Sequence, residues 1–118
     1  MICIHFPFRL ISKSNEKIRG RYHGRYFLSR KFKDFEERIK RHIKVQYKGE
    51  ILKGVVSVFI SAKFKDKRHS DVPNLQKGLC DAMEGCIYLN DRQIKKISTE
   101  VMEGFKGESF YVEIKEIT

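Results

Sequence analysis

A chain of 118 residues, 41% apolar and 12% aromatic, has enough material for one ordinary core, so a single domain over residues 1–118 is expected and a disordered tail is excluded. No apolar run approaches the roughly 18 residues of a membrane span, and no membrane partner is expected. The formal net charge of +10 lies wholly in the first half, where residues 1–59 carry 15 Lys and Arg against 5 Asp and Glu, while residues 60–118 carry 10 of each. Such asymmetry points to a polyanion, nucleic acid foremost, with a merely basic protein as the plain alternative.

Residues 2–8 alternate weakly in polarity and read as a first strand, closed by Pro7 and the polar run behind it. No basic region followed by a long apolar one precedes it, so no signal peptide is expected. Cys3, Cys80 and Cys86 are odd in number and form no CxxC pair, which suggests reduced thiols in a cytoplasmic protein. Residues 12–26 are rich in Arg, Lys, Gly and Ser, with Tyr22, His23 and Tyr26 interleaved. They read as an arm with a short strand at 25–28. Its Arg19, Arg21 and Arg25 suit phosphates and its aromatics suit bases, although a solvated basic loop has the same composition.

Ser29 is a candidate N-cap for a helix over residues 30–47, whose apolar positions Phe32, Phe35, Ile39 and Ile43 recur at three- and four-residue steps. Gly49 ends it. Residues 53–64 then read as a long strand, with Val56, Val58 and Ile60 on one face and Val55, Ser57, Phe59 and Ser61 on the other. A basic link follows, in which Lys67, Arg68 and His69 are candidate DNA contacts. For His69 an ordinary surface histidine is the competing reading.

The next helix starts near Asp71, with Ser70 or Asp71 as N-cap and Pro73 in the first turn, where its missing N–H is harmless. At about 100° per residue, Val72, Leu75, Leu79, Ala82 and Met83 share an apolar arc. Asp71, Asn74, Lys77 and Asp81 share the opposite, polar one. Gly85 fits a C-terminal stop, and the residues around Tyr88 and Asn90 read as a short connection that brings Asp91 back toward the helix start. Residues 93–102 and 109–117 read as two strands joined by a hairpin turn at 103–107. The expected fold is α+β, a mixed sheet with two helices packed on one side, in the order β-(arm)-α-β-α-β-β.

The polar helix face admits a bland reading as solvated surface. Asn, Lys and Asp at turn spacing are, however, a poor choice for solubility alone, since Glu and Lys make better helices. Phosphodiester hydrolysis needs charge neutralised on the scissile phosphate and an activated water, which Mg²⁺ on a few carboxylates supplies. Lys77 would orient the phosphate or stabilise developing charge. There is no nucleophile elbow, P-loop, dinucleotide fingerprint or His pair at metal spacing, so no nucleotide cofactor is expected.

Three pieces, Asp71-x-x-Asn74-Leu75-x-Lys77, Asp81-Ala82-Met83 and Asn90-Asp91-x-Gln93-Ile94, resemble the RusA family of Holliday-junction resolvases. That family's core is an Asp-x-Asp-Asn-x-x-Lys helix start, a mid-helix Asp and an Asp-Asp-x-Gln turn. The resemblance implies a homodimeric, Mg²⁺-dependent endonuclease of phage or prophage origin that makes paired cuts at four-way junctions. Asp71 and Asp91 would then be metal ligands and Lys77 the catalytic lysine. Asp81 and Asn74 would be supporting positions on the same face, Asp81 as a further ligand and Asn74 as a DNA contact. The chain departs from the pattern at Pro73, which takes the place of the second aspartate, and at Asn90, a neutral carbonyl ligand in place of an acid. A non-catalytic module binding branched or single-stranded nucleic acid, descended from such a nuclease, is the alternative.

Overall fold

Two periodicities in the sequence, two residues and three to four, divide the chain into strands that bury one face and helices that bury one stripe. The computed structural model describes residues 1–12, 17–19, 26–28 and 30–117, with 17–19 and 26–28 as backbone only. In chain order the elements are β1 (Ile2–Phe6), β2 (Lys17–Arg19), β3 (Tyr26–Leu28), α1 (Arg30–Gln46), β4 (Val56–Lys63), α2 (Val72–Met83), a 3₁₀ turn (Asp91–Gln93), β5 (Ile94–Met102) and β6 (Ser109–Glu116). β2 and β3 pair antiparallel as a separate two-stranded ribbon. The expected strand at 25–28 is thus present as β3, and its partner β2 lies within the segment read as an arm. Ser29, the expected cap of α1, falls outside the described residues.

The other four strands form one mixed sheet in the order β1-β6-β4-β5, with β4 and β5 parallel and the other pairs antiparallel. Ile4 and Phe6 of β1, Val56, Val58, Ile60 and Ala62 of β4, and Phe110, Val112 and Ile114 of β6 are buried in one contiguous cluster with Phe32, Phe35, Ile39 and Ile43 of α1 and Leu75 and Leu79 of α2. Both helices therefore cover the same sheet face, as expected for this α+β class. The opposite face carries Ser57, Phe59, Lys63, Lys96, Ser98, Tyr111 and Glu113 and, among the described residues, is covered by no helix. At the β1 edge the Gln46 side chain takes the place of a further strand: its Oε1 accepts from the His5 N–H at 2.8 Å and its Nε2 donates to the His5 carbonyl at 2.6 Å. That occupies part of an edge which would otherwise pair with another chain.

The expected hairpin between the last two strands is not formed. β4 lies between β5 and β6, and residues 103–108 cross the end of β4 instead of turning tightly. The crossing is tied down by Gly104 N–H to Lys65 O and Phe105 N–H to Phe64 O, each 3.1 Å, with Gly104 at φ +91°, a conformation that glycine adopts without steric penalty. The physical reason is that alternation fixes which face a residue uses but not which strand lies beside it. β4, the most buried strand, has two edges to satisfy, and β5 and β6 each take one. Of the apolar residues near the C-terminus, Phe110 is core at 3% exposure, whereas Phe105 and Ile117 remain exposed.

Candidate active site

The unit β4-α2-β5 sets the site. Parallel strands need a crossover, here α2, and the helix lies over β5 with its Gln76 Nε2 bonded to Thr99 Oγ1 at 2.6 Å. Asp71 caps α2: its Oδ1 accepts from the Asn74 N–H at 3.0 Å, and Pro73 occupies the first turn. At the other end Gly85, with φ +83°, turns the chain out of the helix. Glu84 N–H bonds to Asp81 O, so the Cys80 carbonyl lacks its usual helical donor, and the hydroxyl of fully buried Tyr88 donates to it at 2.6 Å. The end of α2 is thereby stitched to the segment leading to Asp91.

That segment is held by Gln93. Its Oε1 accepts from Leu89 N–H at 2.7 Å and Asn90 N–H at 3.0 Å, while its Nε2 donates to Leu52 O at 2.8 Å and Gly54 O at 2.9 Å. The Asn90 side chain accepts from Arg92 N–H at 3.0 Å, completing a capping box with Gln93. Gln93, read from the sequence only as part of the family motif, is thus a structural clamp. The signal was present, because Asn-x-x-Gln has capping-box spacing.

The result is an open cavity of about 300 Å³ between α2 and β5, lined by Pro73, Gln76, Lys77, Cys80, Asp81, Asp91, Ile94 and Ile97. It brings Lys77, Asp81 and Asp91 together. Burial pushes the Cys80 thiol up to about 11, with the Tyr88 bond opposing and the negative charges of Asp81 and Asp91 adding to the rise. Burial likewise pushes the Tyr88 phenol up. The expectation that Asp91 returns toward the helix start is met in part: it shares the cavity with Pro73 of the first turn but also with Asp81, and its N–H donates to the Glu84 carboxylate at 3.3 Å, beyond the helix end.

Other expected positions lie elsewhere. Asp71 is exposed at the helix cap and Asn90 is exposed at the 3₁₀ cap, neither of them lining the cavity. Asn74 is half-buried in the first turn of α2. Arg68 and His69 line a second, polar cleft of about 250 Å³ together with Arg9, Leu10, Ile11, Ser12, Lys31 and Ser70, and Lys67 is exposed beside it. Hydrogen bonds from Arg68 hold the Asp66 carboxyl down to about 2. Arg21, Arg25 and the Arg19 side chain fall outside the described residues.

For Mg²⁺, the cavity offers two hard carboxylates, open access for water and a lysine, a donor set that fits a hard cation keeping several of its waters. Among the described residues no group of three His, Cys, Asp or Glu converges on one point. A one-faced sheet whose parallel pair carries an acid–lysine cavity, with a basic cleft at the start of the same helix, has the architecture of a protein suited to phosphodiester substrates. The family model described as Endodeoxyribonuclease RusA matches residues 7–115. The match takes in nearly the whole chain, and the chain belongs to that family of Holliday-junction-resolving endodeoxyribonucleases. No curated protein matches it. Among the described residues no helix is long and apolar enough to cross a membrane.

Proposed function

We propose that the chain, as a single cytoplasmic domain, is a Mg²⁺-dependent resolvase that works as a homodimer and nicks paired strands of a four-way DNA junction. The observation that carries this is the convergence of Lys77, Asp81 and Asp91 on one open cavity in a member of this family. In this reading Asp81 and Asp91 would hold the cation from the cavity wall, while Asp71, outside that wall and with one oxygen engaged by the Asn74 amide, keeps the helix cap. Asn90 keeps a structural part, because its side-chain oxygen caps the 3₁₀ turn. When bound, Mg²⁺ neutralises phosphate charge and lowers the pKa of a bound water. Lys77 places its ammonium against the scissile phosphate and stabilises the charge that develops there. Gln76, held by Thr99, and Ile94 and Ile97 of β5 form the wall that positions these groups. Two symmetric cuts require two sites, which is what a dimer provides.

A second reading has its own observation. Pro73 stands where the family pattern carries an aspartate, and among the described residues two carboxylates line the cavity, so a protein that binds junctions without cutting them is the competitor. The test is a labelled four-way junction incubated with wild-type protein in Mg²⁺ and in chelator. Paired nicks on opposing strands that vanish in chelator support the resolvase. Tight binding with no cut at any metal concentration supports the binding module.

A further inference from the structure

Residues 89–93 carry Asp91 to the acid cavity, and each backbone N–H of that segment has an acceptor. Four are met within the segment: Leu89 and Asn90 donate to Gln93 Oε1, Arg92 to the Asn90 side chain and Gln93 to the Asn90 carbonyl. The N–H of Asp91 opens the 3₁₀ turn, and a helical turn holds no internal acceptor for its first N–H groups. It reaches outside instead, to Glu84 Oε1 at 3.3 Å.

Glu84 is placed for this by the end of α2. It is the C-cap, its own N–H donates to the Asp81 carbonyl at 3.3 Å, and Gly85 behind it adopts φ +83°. The chain then folds back, with Gly85 N–H donating to Tyr88 O at 2.7 Å and Glu84 bridged to Tyr88. One residue is thereby bonded to the backbones of both cavity acids, Asp81 through its amide and Asp91 through its carboxylate. The two anchors of the turn differ in direction. Gln93 ties it to Leu52 and Gly54 ahead of β4, and Glu84 ties it to α2, where Asp81 sits.

We infer that Glu84 is a positioning residue for Asp81 and Asp91, setting the spacing of their carboxylates and through it the affinity for the cation. Glu84 is exposed and stands outside the cavity lining, and among the described residues no group of three metal-ligating side chains converges. It therefore acts through the Asp91 backbone and not as a ligand. The bond needs an acceptor of the right reach, which a glutamine carbonyl supplies as well as a carboxylate. Alanine supplies none, and the Asp91 N–H would turn to water. The inference rests on the nuclease reading, because it takes Asp81 and Asp91 as the ligands of the cation.

The test follows wild type, Glu84→Ala, Glu84→Gln and Glu37→Ala by backbone amide NMR and by junction cleavage. Glu37→Ala removes an exposed carboxylate from α1 and serves as the control. Before metal is added, the Asp91 amide should exchange with solvent several times faster in Glu84→Ala than in wild type, with Glu84→Gln close to wild type. Titrated with Mg²⁺ alone, Glu84→Ala should bind about threefold to tenfold more weakly, the scale of one modest hydrogen bond. Glu84→Gln should recover most of that loss, and Glu37→Ala should show none. Cleavage by Glu84→Ala should need correspondingly more Mg²⁺ for half its maximal rate and reach the wild-type rate at saturation. A lowered maximal rate with Mg²⁺ affinity kept would overturn the inference. So would a Glu84→Gln that binds Mg²⁺ as weakly as Glu84→Ala while its Asp91 amide stays protected, since charge and not position would then be the cause. Wild-type Mg²⁺ affinity in Glu84→Ala, while wild type binds Mg²⁺ at Asp81 and Asp91 and cuts, overturns the part of Glu84 alone. A wild type whose Asp81 and Asp91 amides do not respond to Mg²⁺ overturns the nuclease reading of the cavity with it.

Discussion

Pro73 and Asn90 both stand where the family pattern carries an aspartate, yet the structure gives them different weight. Pro73 lines the acid cavity, whereas Asn90 is not part of that lining and caps the 3₁₀ turn. Restoring acid should therefore matter at one position and not the other. Pro73→Asp is expected to lower the Mg²⁺ concentration for half-maximal cleavage severalfold, since affinity for hard cations depends on ligand charge. Asn90→Asp should leave it unchanged, because a carboxylate caps Arg92 N–H equally well. A titration in which Asn90→Asp alone shifts the metal requirement would refute this division. Gln93 is the other residue of consequence. Its truncation to Ala leaves two carbonyls and two amides without their partner and is expected to cost about 2–3 kcal/mol in urea unfolding, with cleavage falling because Asp91 is no longer held.

At the scale of elements, α2 was legible from its sequence because several independent signals agreed: a capping Asp71, a first-turn proline, an apolar arc and Gly85 in the left-handed region. The strands were legible as strands for the same reason, but their neighbours were not. Nothing local in residues 103–107 tells a tight turn from a crossing, and the outcome depended on how much of β4 had to be enclosed. The sequence places Tyr88 in the connection and Gln93 in the family motif but does not show what either holds, since their partners, the Cys80 carbonyl and the Leu52 and Gly54 carbonyls, are met only on folding. The buried join between α2 and Tyr88 has a measurable pH signature. The Cys80 thiol, raised from 9.0 to about 11, keeps its proton longer in the folded state than in the unfolded one. Stability is whole below about pH 9 and drains as pH climbs toward 11, by about 2–3 kcal/mol for this group. The raised Tyr88 phenol acts in the same direction. Unfolding by urea at pH 8 and pH 10.5 should show the loss in wild type and a smaller one in Cys80→Ala. Identical losses in the two proteins would show that the thiol is not the cause.

For the whole molecule, charge and architecture separate the tasks. Both helices lie on one sheet face, and α2 carries the acid cavity on the side toward β5 and a basic cleft at its foot. The excess positive charge belongs to residues 1–59, which include α1 and the segment around the β2–β3 ribbon. Junction affinity should accordingly fall steeply and linearly on a log–log plot between low and moderate salt, as phosphate neutralisation releases counterions. A flat response would remove the basic half from the binding surface. The cavity between α2 and β5 is the proposed catalytic centre, and the most direct test is to measure binding and cleavage of one four-way junction by wild type, Asp81→Asn and Asp91→Asn in Mg²⁺. Loss of roughly 10²-fold or more in cleavage by both variants, with affinity kept, is the predicted result. Full cleavage by either variant would place the chemistry elsewhere.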